Sequence, residues 1–314
     1  MIKEEFMENG QVGRRAAEYV RLYTSWVAEM DVPYKLYKGD CLEIMPTLEA
    51  GSVDAIITDL PYGTTQCHWD SVIPLDEMWA QVKRILKPKG VFVTTGSQPF
   101  TTVLIASNLD WFRYEWIWEK PRITGYLSAN RRPMKAHENI LVFGRGVYNP
   151  QMLKGEKHKS GAKPKWEGQA KVYGKHERIL TSSDMWYPRS IIKFSSDPET
   201  TVTRKDRPNK TERHPTQKPL ALYEYLIRTY TNPGDLVLDF CMGSGTTGIS
   251  AYAEGRKFIG IEKEQKYYSI AEKRISQAAR QPALFHATQQ GVQRTPETAP
   301  LTQTIGRLRP GEQT

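Results

Sequence analysis

Cysteine is scarce in this chain: three stand in 314 residues, at Cys41, Cys67 and Cys241, with no Cys-x-x-Cys spacing. That pattern excludes a disulfide-framed scaffold and argues against a structural zinc site. The adjacent pair Cys67 and His68 has no further ligands at metal-site spacing, so no metal is expected. Long apolar runs are missing too, and none approaches the length that spans a bilayer. The opening MIKEEFMENGQ lacks the basic start, apolar stretch and cleavage site of a secretory leader. No segment repeats at a fixed period. What is present is 39% hydrophobic and 25% charged residues, enough for a real core in an intracellular enzyme or binding protein, with no membrane partner.

The formal charge of +9 is unevenly spread. Between Gly146 and Pro215 there are 15 Lys and Arg against 8 Asp and Glu. Clustered cations of this kind suit a polyanion, because they neutralise phosphates and release counterions. A solvated basic loop is the plain alternative.

Along the chain, residues 17–30 place Ala17, Val20, Tyr23, Val27 and Met30 at helical spacing, which predicts a helical extension over 1–34. YKLYKGD reads as a strand ending at Asp40, and CLEIMPTLEAG as a helix closed by Gly51. SVDAIITD (52–59) has the continuous apolar centre of a strand buried on both faces. PLDEMWAQVKRILKPKG (74–90) predicts a helix, VFVTTGS (91–97) a buried strand, and 98–109 another helix. FRYEWIWEK (112–120) and HENILVFG (137–144) are strand-like. After the basic block come a helix from PLALYEYLIRTY, the strand DLVLDF, a helix opened by GSGTTG, the strand KFIGIE and the helix QKYYSIAEKRISQA. Strands and helices alternating in this way predict a mostly parallel, doubly wound α/β sheet. The tail 281–314 is rich in Gln, Thr and Pro and is expected to be disordered.

Two stretches carry chemistry. In DFCMGSGTTG (239–248) a strand ends at Asp239 and Gly243, Ser244, Gly245 and Thr246 turn into a helix, letting backbone approach a ligand at the sheet's carboxyl edge. The next strand ends in Glu262, placed to accept hydrogen bonds from ribose hydroxyls. Together these indicate an adenosine-containing cofactor, with a nicotinamide dinucleotide and S-adenosylmethionine both admissible. Asp239 favours the second, since its carboxylate could meet the amino group of a methionine moiety. So does the other stretch, TDLPYG, in which Asp59, Leu60, Pro61 and Tyr62 leave a strand as acid, carbonyl and ring. Asp40 ends a third strand and could hold the exocyclic amine of the cofactor's adenine.

These segments resemble the beta class of DNA amino-methyltransferases. DLPYG is similar to that family's DPPY motif, LDFCMGSGTTG to its LDPFMGSGTT cofactor loop, and HPTQKP (214–219) to a segment typical of the class. The order of motifs is also that of the class, over about residues 35–280. The resemblance implies a Rossmann-like methyltransferase fold, circularly permuted. Residues 35–145 would form a catalytic half, 146–212 an inserted basic target-recognition region and 213–280 a cofactor-binding half. It implies S-adenosyl-L-methionine as cofactor, with Thr216 and Lys218 near its carboxylate, and double-stranded DNA as partner. A homodimer and a companion restriction endonuclease are further partners found in the class, and a cytoplasmic site in a bacterium or phage-infected cell follows. Two departures stand out: Phe240-Cys241 replaces Pro-Phe, and Leu60 replaces proline, giving up the ring's fixed φ.

An exocyclic ring amine is a poor nucleophile because its lone pair is delocalised. Acceptors aimed at its two N–H groups restore that density, and the Asp59 carboxylate and Leu60 carbonyl are expected to do so as charge develops. Tyr62 would replace the stack of a base flipped from the duplex. No covalent intermediate is needed. An acid at the first motif position resembles the adenine-N6 enzymes, whereas serine is more usual in cytosine-N4 enzymes, the alternative. A catalytically inert DNA-binding module and a nicotinamide-dependent dehydrogenase are the readings from other classes. RNA or a protein side chain is also conceivable as acceptor, but the motif order argues for DNA.

Overall fold

The computed structural model describes residues 34–63, 70–160, 181–194 and 217–280. The predicted helix before residue 34, the tail 281–314, Thr216 and the Cys67–His68 pair lie outside them. Among the described residues the chain forms β1 (Tyr34–Lys38), α1 (Cys41–Ile44), β2 (Val53–Thr58), α2 (Leu75–Ile85), β3 (Leu86–Gly96), α3 (Phe100–Ala106), β4 (Phe112–Thr124), β5 (Lys135–Gly144), β6 (Leu153–Ser160), β7 (Thr181–Trp186) and β8 (Ile191–Lys193). There follow α4 (Leu220–Tyr230), β9 (Leu236–Asp239), α5 (Thr246–Ala253), β10 (Lys257–Glu262) and α6 (Gln265–Arg280).

Eight strands make one sheet in the order β1-β10-β9-β2-β3-β5-β4-β8. Every pairing is parallel except the two made by β5. The order explains how distant motifs meet. Strands β9 and β10, from the C-terminal part of the chain, insert between β1 and β2, so four strand ends carrying Asp40, Glu262, Asp239 and Asp59 stand side by side. In an open parallel sheet that carboxyl edge is where ligands bind.

Both sheet faces are covered, which is why the central strands read as continuous apolar runs. On one side Ala55, Ile57, Val91, Val93, Ile140 and Val142 pack against α4, α5 and α6. On the other, Ile56, Phe92, Leu141 and Phe143 pack with Met78, Trp79, Val82 and Leu104 of α2 and α3. Successive strand residues therefore serve opposite cores, as the period of two demands.

The structure corrects three boundaries. The helix predicted over 74–90 ends at Ile85, and Leu86 is already extended with ψ 140°. Pro88 keeps the helix from running on, since it disfavours helical geometry at Lys87 before it and has no N–H to donate to the Arg84 carbonyl. The helix predicted from Cys41 to Gly51 is a single turn followed by a 3-10 turn over Met45–Thr47, broken at Pro46. The basic region, to which the sequence assigned no element, contains a two-stranded antiparallel ribbon of β6 and β7 before β8 returns to the sheet. Among the described residues no helix is long and apolar enough to cross a membrane.

Candidate active site

A cavity of about 810 Å³ opens at the carboxyl edge of the sheet, and Asp40, Asp59, Tyr62, Lys218, Asp239 and Glu262 line it. Leu60, Pro61, Gly243, Ser244 and Thr246 line it as well. Residues singled out across more than two hundred positions of sequence thus share one space, sized for a cofactor and part of a substrate.

Asp59 follows β2 and is hydrogen-bonded on both oxygens. Its Oδ1 accepts from the Tyr62 hydroxyl at 2.8 Å and from the Thr95 hydroxyl at the end of β3. Its Oδ2 accepts from the Lys218 ammonium at 2.8 Å. The Tyr62 ring stacks on Phe100 at 5.4 Å between centroids, and Lys218 Nζ stands 5.7 Å from the same ring. Burial, together with the Asp59 and Glu138 charges, holds the Tyr62 phenol well above its ordinary range, so it stays a donor. Leu60 is only 3% exposed, its side chain set in the α2–α3 core. Packing therefore restrains the backbone where a proline ring would have done so.

Lys218 is nearly buried, at 9% exposure. Its ammonium bridges Asp59 and Glu138, the latter at 3.3 Å from Oε2. Burial alone would lower its pKa, but the two carboxylates outweigh that and raise it above the ordinary lysine range. The resemblance puts this lysine near the cofactor's carboxylate; here it lies on the acid of the DLPY segment. Its neighbour Gln217 meets the Ser244 hydroxyl at 3.3 Å, tying the HPTQKP segment to the glycine turn.

Asp239 closes β9 and is 2% exposed. It accepts from Thr58 at 2.7 Å, Thr247 at 2.5 Å and the Cys241 amide at 3.1 Å. Burial pushes its pKa up to about 7 against these donors, with Asp59 adding to the rise. The turn after it requires glycine at two positions for different reasons. Gly245 caps α5 at φ 79°, a left-handed conformation that disfavours side chains. At Gly248 a Cβ would lie 2.6 Å from Ile275 Cδ1 and 2.7 Å from the Phe258 ring, so α5 can sit on β10 and α6 only without one.

Glu262 closes β10, accepting from the Gly243 amide at 2.9 Å and the Glu264 amide at 2.8 Å. Burial raises its pKa in spite of these bonds. Asp40 caps α1, accepting from the Leu42 amide at 2.9 Å, and pairs with the exposed Lys263 at 2.9 Å. Partial burial pushes that carboxyl up, but Lys263 and the amide prevail and lower it. Asp40, Asp239 and Glu262 all line the cavity, and a row of acceptors there suits hydroxyl and amine donors of a nucleoside.

Sequence reasoning missed Lys120, Lys135 and Glu138, which line the cavity, and Thr95, which bonds Asp59. Glu138 Oε1 accepts from Lys120 at 3.0 Å, and Lys135 donates to Ser97. Their trace in sequence was slight: hydroxyls closing the apolar strand VFVTTGS, and an acid opening the apolar strand HENILVFG. A second cavity of about 770 Å³, lined by Tyr114, Trp116, Tyr148 and Tyr230, holds none of the predicted residues.

Comparison with known proteins agrees with this geometry. A DNA methylase family model matches residues 53–273. The type II methyltransferase M.HinfI of Haemophilus influenzae is 30% identical over 275 residues, covering 79% of this chain and 69% of that protein. The DNA adenine methyltransferase YhdJ of Escherichia coli (strain K12) is 28% identical over 267 residues, covering 77% and 82%. The solved M1.HpyAVI–SAM complex superposes with a TM-score of 0.51 at 28% identity, covering 77% of this chain and 98% of that one. The PvuII DNA methyltransferase (cytosine-N4-specific) shares the fold, with a TM-score of 0.54 at 19% identity over 81% of this chain and 93% of that one.

Proposed function

We propose, from the premise that this chain belongs to the DNA methylase family, that it transfers the methyl group of S-adenosylmethionine to N6 of an adenine flipped out of duplex DNA. The observation that carries the reading is the single cavity in which Asp59 and Tyr62 face the acids of β1, β9 and β10. The identity to an adenine enzyme over most of this chain, and the acid rather than serine at position 59, favour adenine over cytosine.

The residues present fit the cofactor. Asp40 and Glu262, on neighbouring strands, would hold its adenine amine and ribose hydroxyls, and Asp239 its amino group. Gly243, Ser244, Gly245 and Thr246 would shape the wall along it. When bound, S-adenosylmethionine supplies a methyl group already activated on a sulfonium.

The chain's own part is to hold the acceptor in line and make its nitrogen nucleophilic. The Asp59 carboxylate and the Leu60 carbonyl take the two amine hydrogens, strengthening as positive charge develops on nitrogen. Pro61 fixes the turn between them and Tyr62, whose ring takes the face of the base. The proton leaves through Asp59 or directly to water.

Duplex DNA would lie over the cavity rim. The loop between β4 and β5 stands there, since Thr124 and Lys135 at its two ends line the cavity. It exposes Tyr126 and Leu127, 73% and 85% accessible, beside the exposed Arg131 and Arg132. Apolar side chains among cations are what a wedge between base steps requires. The β6–β7 ribbon and the rest of 146–212 would grip phosphates and read base edges. The homodimer of the class is tested by sedimentation of the protein with and without DNA, and a companion endonuclease by the neighbouring genes.

Nucleoside mass spectrometry of duplex DNA incubated with the protein and S-adenosylmethionine tests the function. N6-methyladenine is expected. N4-methylcytosine would keep the mechanism and replace the base, and no methylated base would refute the reading.

A further inference from the structure

Before any substrate arrives, Asp59 already receives hydrogen bonds from Tyr62, Thr95 and Lys218. An acid that must accept a hydrogen bond from the target amine has to release one of these donors. Tyr62 and Thr95 have each other as the alternative, with 2.9 Å between their oxygens. Lys218 has a charged one. Glu138 Oε2 lies 3.3 Å from its Nζ, an ion-pair contact short of hydrogen-bond geometry, and is buried with no other donor, while Oε1 is held by Lys120.

A buried carboxylate oxygen whose one near donor stands outside hydrogen-bond geometry gains when that donor closes on it. Resting on the functional reading above, we propose that Glu138 is a positioning residue that takes the Lys218 ammonium over from Asp59 as the target amine enters. No proton moves in this exchange. Lys218 remains a cation, since the two carboxylates outweigh burial, and Glu138 remains an anion, since Lys218 and Lys120 hold it below its ordinary range against burial. The shift frees a lone pair on Asp59 Oδ2 for the target amine and keeps the ammonium inside the same cavity. Glu138 belongs to β5 and Asp59 to the end of β2, with β3 between them, so the exchange is a side-chain movement within a fixed sheet.

The test is single-turnover methyl transfer to unmethylated DNA by the wild type, Glu138→Gln, Glu138→Asp, Lys218→Met and the double variant Glu138→Gln/Lys218→Met. A neutral glutamine cannot draw Lys218 from Asp59, so Glu138→Gln is expected to slow the transfer step by about 10- to 100-fold. Cofactor dissociation constant and KM for DNA should stay at wild-type values. Glu138→Asp should recover part of the rate, and the double variant should be no slower than Glu138→Gln alone, because the lysine that blocks Asp59 is gone. Wild-type rate in Glu138→Gln, multiplied losses in the double variant, or lost cofactor binding in Glu138→Gln would each overturn the proposal. No methyl transfer by the wild type would instead overturn the functional reading on which it rests.

Discussion

If Asp239 holds the cofactor's amino group as proposed, cofactor binding should depend on pH. Its carboxyl is lifted from the ordinary 3.8 to about 7, chiefly by burial. That rise corresponds to roughly 4 kcal/mol between the ionised and neutral forms, with no discount for solvent because the residue is 2% exposed. An ammonium group bound beside it favours the ionised form and recovers part of that cost. Affinity for S-adenosylmethionine should therefore be full above about pH 7 and fall by up to about tenfold for each pH unit below it. Stability runs the other way. The native state keeps the Asp239 proton while the unfolded chain loses it, so this residue's contribution declines as pH rises from about 4 to about 7 and is constant above. Calorimetric titration with S-adenosylmethionine from about pH 5.5 to about pH 8.5 measures the first effect, and urea unfolding over the same range the second. Asp239→Asn should bind weakly and lose both dependences. Wild-type affinity that is flat across this range would refute the assignment of Asp239 to the cofactor's amino group.

Two further substitutions probe the base side of the cavity. Tyr62→Phe keeps the ring on Phe100 and loses the hydroxyl bond to Asp59, so it should cost a few-fold in rate; Tyr62→Ala removes the stack, worth about 1–3 kcal/mol, and should raise KM for DNA by about 10- to 100-fold. Steady-state kinetics on one DNA substrate separate the two, and equal losses would contradict a stacking role. Leu127→Ala should slow methylation of duplex DNA while leaving the same sequence as a single strand unaffected, because only the duplex needs a wedge. Equal loss on both substrates would remove Leu127 from base extrusion.

Much of this fold was legible because its strands are buried on both faces. VDAIIT, VFVTTG and NILVFG could hardly sit elsewhere than in the middle of a covered sheet, and strands alternating with helices pointed to parallel pairing. The glycine turn was legible for a related reason: Gly245 and Gly248 stand where backbone sign and helix packing leave no room for another residue. The end of α2 was missed because the apolar spacing of a helix ran on into LKPKG, where Pro88 already imposed extended backbone.

The site's second layer was hidden for a different reason. Lys218 and Asp59 are 159 residues apart, Thr95 reaches the acid only because β3 lies next to β2, and Glu138 reaches Lys218 only because β5 follows β3 in the sheet. Strand order comes from long-range pairing, which local patterns do not carry. A hydroxyl closing one buried strand and an acid opening another were visible, but nothing in their spacing joined them to DLPY.

The most direct test of the account is single-turnover methyl transfer by Asp59→Ala, read as methylated nucleoside alongside the dissociation constant for S-adenosylmethionine. Transfer should collapse while cofactor binding stays near the wild-type value, because the proposal gives Asp59 to the target amine and the acids after β1, β9 and β10 to the cofactor. Undiminished N6-methyladenine from Asp59→Ala would contradict the claim that this carboxylate activates the target nitrogen.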